Sequence, residues 1–242
     1  MIDALVQPSL TSVFEVTLWM AILHGIGGGS LGGFPRESYL AYSLWAVFVG
    51  RTTSNWMYEF QMLDEIETGR VNSVLVRPIS FFEFYGAQFM GYKAMVTLCS
   101  FMIPVTASYV IGAPLHPERL PMMFALVFCY LFFTHILSFC VATLGFFMNR
   151  AHAITGMKNL AIWTLAGELI PLDLYPEPLR AWLIHSPFAA AVYLPVGYVI
   201  GRVEFEQAAF GFVSLACGIA VMGAFASWLW RRGLRAYTGT GA

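Results

Sequence analysis

Long apolar runs separated by short polar intervals recur about six times along this chain, and no other feature restricts its fold as strongly. They occupy residues 4–24, 38–58, 82–111, 120–148, 154–174 and 208–230. The hydrocarbon core of a bilayer is about 30 Å thick and takes roughly 20 helical residues to cross, so each run is long enough for one crossing. A backbone exposed to lipid must satisfy its own hydrogen bonds, which makes each run a predicted α-helix. A transmembrane β-barrel would instead show alternating segments of about 10 residues, and no such alternation is sustained here. The expected fold is an all-α membrane protein with six transmembrane helices in one domain over residues 1–242. With 58% hydrophobic and 11% charged residues and a mean hydropathy of +0.68, a soluble fold could not cover the apolar surface.

Charge and cysteine content narrow the function classes. A net charge of −1 leaves no basic surface to neutralise nucleic-acid phosphates, so nucleic acid is not an expected partner. Cys99, Cys129, Cys140 and Cys217 all lie in apolar stretches, without a C-x-x-C pair. The five histidines form no ligand-like pattern, and no metal site is expected. The start of the chain lacks a basic, cleavable leader, so the first apolar run is expected to stay in the membrane. With both termini on the cytoplasmic side, the inner flanks carry Arg70, Arg77, Arg150, Lys158, Arg231, Arg232 and Arg235. The outer loops carry only Arg36, Arg119, Arg180 and Arg202, as the positive-inside rule requires.

Three intervals are more than plain turns. The Gly-rich stretch 25–33 permits a tight irregular turn between the first two spans. Residues 59–80, EFQMLDEIETGRVNSVLVRPIS, are too polar for lipid, yet Phe60, Leu63, Ile66 and Glu67 recur at helical spacing. A short amphipathic helix over 59–70, ended by Gly69, is expected. Residues 167–195 are apolar but hold Pro171, Pro176, Pro178, Pro187 and Pro195, which break any continuous helix. They read as a segment that dips into the membrane and returns, with Asp173, Glu177 and Arg180 held at the outer interface.

Charges inside a span cost about 2.5–3.5 kcal/mol or more each at the bilayer centre and need a reason. Glu15, Arg51 and Lys93 fall about 10–15 Å from the inner ends of their spans at 1.5 Å per residue, and so in one layer. They are either a charge cluster facing the transport path or an ion pair that locks helices together. Glu168 and Asp173 lie where the chain turns at the outer face, with two roles open for Glu168: gating an exit, or bonding backbone N–H groups freed near Pro171.

Three motifs in order, DEIETGRVNSVLVRPIS (64–80), IPLDLYPEPLR with SPF and LPVGYVIG (170–201), and WRRGLRAYTGTGA (230–242), resemble the type 2 permeases of ABC exporters, the bacterial six-span family. The likeness covers nearly the whole chain. It implies an N-terminal elbow helix, six spans, a coupling helix after the second span, and external re-entrant helices before the sixth. One departure is that an apolar run starts within a few residues of Met1, where the elbow would be basic and amphipathic. The resemblance further implies half of a pore in a bacterial inner membrane, paired with a second permease, identical or homologous, and driven by two copies of an ATPase that binds ATP and Mg. Asp64, Glu65, Glu67 and Arg70 would then dock that ATPase. Trp45, Phe48, Thr52 and Asn55 in the second span, with Asn159 and Trp163 in the fifth, would line the path.

ATP binding within this chain is excluded for a P-loop, because the motif needs G-x-x-x-x-G-K-[ST] and the only lysines are Lys93 in YKA and Lys158 in MKN. No enzymatic activity is expected. Two alternatives stand beside the permease. Gly28-Gly29-Ser30-Leu31-Gly32 fits G-x-S-x-G, which six spans would place in a rhomboid-like serine hydrolase, although the motif lies in a run of glycines rather than on a strand-to-helix turn. A non-transporting membrane scaffold is the other.

Overall fold

The computed structural model describes residues 35–148 and 151–237, together with Phe14, Thr17, Leu18, Met20, Ala21, His24 and Gly25. Most of the expected first span and Gly-rich turn, with Glu15 and Ser30, therefore lies outside the described residues. Among those described, every regular element is helical. Three helices among the described residues are long and apolar enough to cross a membrane: Phe81–Ile111, Pro117–Phe146 and Phe205–Ala236.

The first described helix, α1 (Arg36–Thr53), is followed after a two-residue break by α2 (Trp56–Glu67). The sequence expectation of a span to 58 followed by a separate amphipathic helix over 59–70 is corrected here. The interruption falls at Ser54 and Asn55. Beyond it α2 buries Glu59, Met62, Leu63 and Ile66, one face at helical spacing, against the bundle. After a turn at Gly69 comes the single-turn α3 (Asn72–Leu75).

Ser80 starts the next helix with a reciprocal cap: its hydroxyl accepts from the Glu83 N–H at 3.1 Å, and the Glu83 carboxylate accepts from the Ser80 N–H at 3.1 Å. That helix is divided into α4 (Phe81–Ser100) and α5 (Met102–Ile111). Pro104 has no N–H to give to the Ser100 carbonyl, which accounts for the division at Phe101. The core helix α6 (Leu120–Thr143) comes next. In its apolar window 67% of residues are buried, against 22% in each of the other two long helices, so α6 is the centre of the bundle. Leu98, Val110 and Val221 on the flanking helices remain exposed, as lipid-facing side chains would be.

Helix α7 (His152–Leu165) stops nine residues short of the expected end at 174. Gly167 takes a left-handed φ of +77°, which turns the chain back. The following segment contains α8 (Leu179–Ile184), α9 (Tyr193–Val199) and short 3-10 turns, each too short to cross a bilayer. It continues past the expected end at 195, because Pro195 sits in the first turn of α9, where a missing N–H removes no helical bond. The last helix, α10 (Phe205–Ala236), is about 48 Å long and overshoots the hydrocarbon core, carrying Arg231, Arg232 and Arg235 in its final turns. Gly218 lets it approach α6 and the segment after Gly167: a Cβ there would meet Phe133 at 3.0 Å and Pro187 at 3.1 Å.

Candidate functional site

The break between α1 and α2 is built by four consecutive small polar residues, Thr52-Thr53-Ser54-Asn55. Thr52 and Thr53 donate their hydroxyls back to the Phe48 and Val49 carbonyls, both at 3.0 Å. The Ser54 N–H closes the last turn on Gly50, and then Ser54 (ψ 140°) and Asn55 (φ −131°) leave helical geometry. The Arg51 carbonyl, which an unbroken helix would bond to the Asn55 N–H, accepts instead from Lys93 Nζ at 2.6 Å. Lys93 reaches across from α4 with only 5% of its surface exposed and also donates to Ser54 Oγ at 3.2 Å. Its ammonium lies 5.8 and 6.0 Å from the Phe89 and Tyr92 ring centres, within cation–π range.

Around this break lies a cavity of about 470 Å³, walled by Gly50, Arg51, Ser54, Asn55, Lys93, Trp163 and Glu168 among others. A pocket of about 20 Å³ adjoins it and reaches Thr134 and Asn159. Glu168 enters because Gly50 has no side chain; a Cβ at Gly50 would collide with the Glu168 carboxylate. The Glu168 N–H bonds back to the Trp163 carbonyl at 3.1 Å, so the turn after α7 delivers the carboxylate to the break in α1–α2. Along that broken rod the cavity lies about 22 Å from Tyr39 and about 15 Å from Asp64, between the two ends of the bundle, with the exposed Trp56 and Met57 at its mouth.

Of the expected cluster, Arg51 and Lys93 line this one cavity, while Glu15 lies outside the described residues. The carboxylate that joins them on the cavity wall is Glu168. Asn55, Asn159 and Trp163 line the cavity and its neighbour. Trp45, Phe48 and Thr52 do not: Trp45 donates its indole N–H to Ser108 Oγ at 3.1 Å and packs edge-on to Phe48 and Phe101, so both rings are core. The sequence reading overlooked Gly50 and Ser54, although four polar residues in a row inside an apolar span are a helix-cap signature.

Asp173 is not Glu168's neighbour but belongs to a separate buried cluster near the start of α1. Arg202 Nε lies 2.7 Å from Asp173 Oδ2, an ion pair whose N–H points off the N···O axis, and the Tyr193 hydroxyl donates to Oδ1 at 2.8 Å. Arg202 also donates to the Tyr39 hydroxyl at 3.1 Å and lies 4.6 Å from that ring centre. Tyr42 donates to the Gly167 carbonyl at 2.7 Å. Together these bonds fasten residues 167–202 to α1.

At the opposite end Asp64 and Glu67 join α2 to the start of α7. His152 Nε2 lies 2.8 Å from Asp64 Oδ1, the Ala151 N–H donates to Glu67 Oε1 at 3.0 Å, and the His152 ring stacks on Phe60. These two of the four expected docking residues are therefore engaged within the chain, a contact that local helical spacing could not reveal. Asp64, Glu67 and His152 offer ligand atoms within 4.8 Å of one another, the described group nearest to a metal-binding set, but their contacts are those of an intrachain clamp. Glu65 lies 3.9 Å from Arg70, whose side chain is 60% exposed. One turn deeper, fully buried Glu59 pairs with Lys158 of α7, which also donates to Ser138 Oγ at 3.3 Å. The sequence reading put Lys158 among the cations of the inner flanks; the structure turns it inward to Glu59, with 14% of its side chain exposed. The Tyr237 hydroxyl bonds the Gly69 carbonyl at 3.4 Å, which places the arginines of late α10 at this same end.

Compared with known proteins, the chain matches a family model described as ABC-2 family transporter protein over residues 10–241. No curated protein matches it.

Proposed function

This chain belongs to the ABC-2 family of transporter proteins, and from that premise we propose that it is the membrane-spanning permease subunit of an ABC exporter. It forms half of a translocation path completed by a second permease, identical or homologous, and powered by separate ATPase subunits that bind ATP and Mg. The observation that carries this reading is the polar cavity at the α1–α2 break. A helix interrupted between the two ends of a bundle, with its freed backbone beside a cavity, is how membrane carriers build sites for polar cargo. Six spans, a bacterial inner-membrane location and alternating access complete the proposal.

The orientation follows from charge. Arg70, Arg77, Arg231, Arg232 and Arg235 gather at the Asp64 end. The arginines at the other end include Arg202, neutralised by Asp173. The positive-inside bias supports a cytoplasmic Asp64 end. The ATPase then docks on the turn from Thr68 to Arg77, where Arg70 and Val76 are exposed, with Asp64 and Glu67 holding the lever α2 against α7. Affinity purification of the tagged chain from its native membrane tests this. A P-loop ATPase should co-purify, and Arg70→Glu should weaken its capture while the chain still elutes as a folded membrane protein. Recovery without any ATPase would overturn the proposal.

A further inference from the structure

From the geometry of the α1–α2 break we infer that the cavity is a binding site for an anionic group, a phosphate or carboxylate carried either by a lipid headgroup or by a soluble solute. The inference rests on reading the cavity as part of the transport path and names the chemistry it receives.

Three independent features converge there. First, α2 is a twelve-residue helix whose N-terminus opens into the cavity. The N–H groups of Trp56, Met57 and Tyr58 stand outside the intrahelical ladder, and all three residues line the wall. Such a terminus favours negative charge through both its free donors and its dipole.

Second, the N-cap residue does not cap. Asparagine is among the residues that most often satisfy a first-turn N–H, yet Asn55 makes no capping bond. Its side chain is 96% buried by its 4% exposure, and both Nδ2 and Oδ1 lack a partner while the residue lines the cavity. A buried amide without partners destabilises the empty site. A ligand oxygen accepting from Nδ2 removes part of that cost and leaves the helix N–H groups for the same anion.

Third, Lys93 supplies charge with a donor to spare. An ammonium has three N–H groups, and two go to the Arg51 carbonyl and Ser54 Oγ. A cation entering there would meet the helix terminus and the Lys93 ammonium, whereas an anion meets donors on both sides. At about 470 Å³ the cavity exceeds what a bare phosphate fills, so the anionic group is one end of a larger molecule.

The test uses the isolated full chain in lipid nanodiscs without ATPase, so its failure is separate from failure of the ATPase partnership. Inorganic phosphate and acetate are titrated while the emission of the cavity tryptophans is followed. Retention of phosphatidylglycerol over phosphatidylethanolamine is read by native mass spectrometry. Wild type should bind at least one of these anions, phosphatidylglycerol if the source is a headgroup and phosphate or acetate if it is a solute. Lys93→Gln and Asn55→Leu should each weaken that binding at least tenfold, as the loss of a charge-assisted hydrogen bond implies. Lys93→Arg should retain most of it, which separates loss of the site from loss of the fold. Absence of anion binding to wild type, equal binding by Lys93→Gln and Asn55→Leu, or preference for an alkylammonium probe over the anions would overturn the inference.

Discussion

Replacing Lys158 by Met removes the charge that faces Glu59 while keeping most of the side-chain volume. Glu59 has no exposed surface, and one of its carboxylate oxygens already lacks a partner, so water cannot replace what the substitution takes away. Breaking one side of a buried pair costs about 3–5 kcal/mol, because the other charge is left uncompensated. The exposed pair between Glu65 and Arg70, at 3.9 Å, is worth at most about 1 kcal/mol by comparison. In a denaturant titration of the purified chain, Lys158→Met should shift the folding equilibrium by a factor of roughly one hundred to several thousand. Arg70→Met should shift it less than about tenfold. Combining Lys158→Met with Glu59→Gln should recover much of the loss, and the recovered part measures the coupling between α2 and α7. If Lys158→Met costs no more than Arg70→Met, the pair does not clamp α2, and the lever assigned to this helix has no foundation.

Three further outcomes follow from the geometry. Gly50→Ala should displace the Glu168 carboxylate and destabilise the chain by about 1–3 kcal/mol, with Glu168→Ala restoring most of the loss in the double variant, read by the same titration. Arg202→Leu should cost about 1–3 kcal/mol, because Asp173 keeps Arg180 at 3.7 Å and the Tyr193 hydroxyl, and limited proteolysis should then cut within residues 167–202 before the rest of the chain. In a chain freed of its native cysteines, cysteine at Glu177 should react with an impermeant thiol reagent applied from outside the cell and cysteine at Ala236 should not; the reverse pattern would invert the orientation assigned here.

What could be read from the sequence follows the range over which the physics acts. Three of the apolar runs coincide with helices long and apolar enough to cross a membrane, Phe81–Ile111, Pro117–Phe146 and Phe205–Ala236, because bilayer thickness is written directly into run length. Prolines and charges likewise marked 167–195 as unable to span. The break at Ser54–Asn55 escaped because the apolar residues on either side carry the run across it. Glu168 was placed with Asp173 because the fifth run continues apolar to 174, whereas Gly167 turns the chain at a left-handed φ and sends the two carboxylates to different clusters. Pairs such as Glu59 with Lys158 and Asp173 with Arg202 join distant parts of the chain. Local periodicity carries no information about such contacts, and only the packed bundle reveals them.

The most direct test of the permease assignment places a single cysteine at Asn55, on the cavity wall, in a chain lacking Cys99, Cys129, Cys140 and Cys217, reconstituted with its co-purifying ATPase. Labelling by a membrane-impermeant thiol reagent is then followed from each side of the vesicle, at rest and after trapping with ATP and vanadate. Alternating access through this cavity predicts that Asn55→Cys reacts from one side at rest and from the other when trapped. Labelling from the same side in both states, or from neither in either state, would contradict a translocation path through the α1–α2 break.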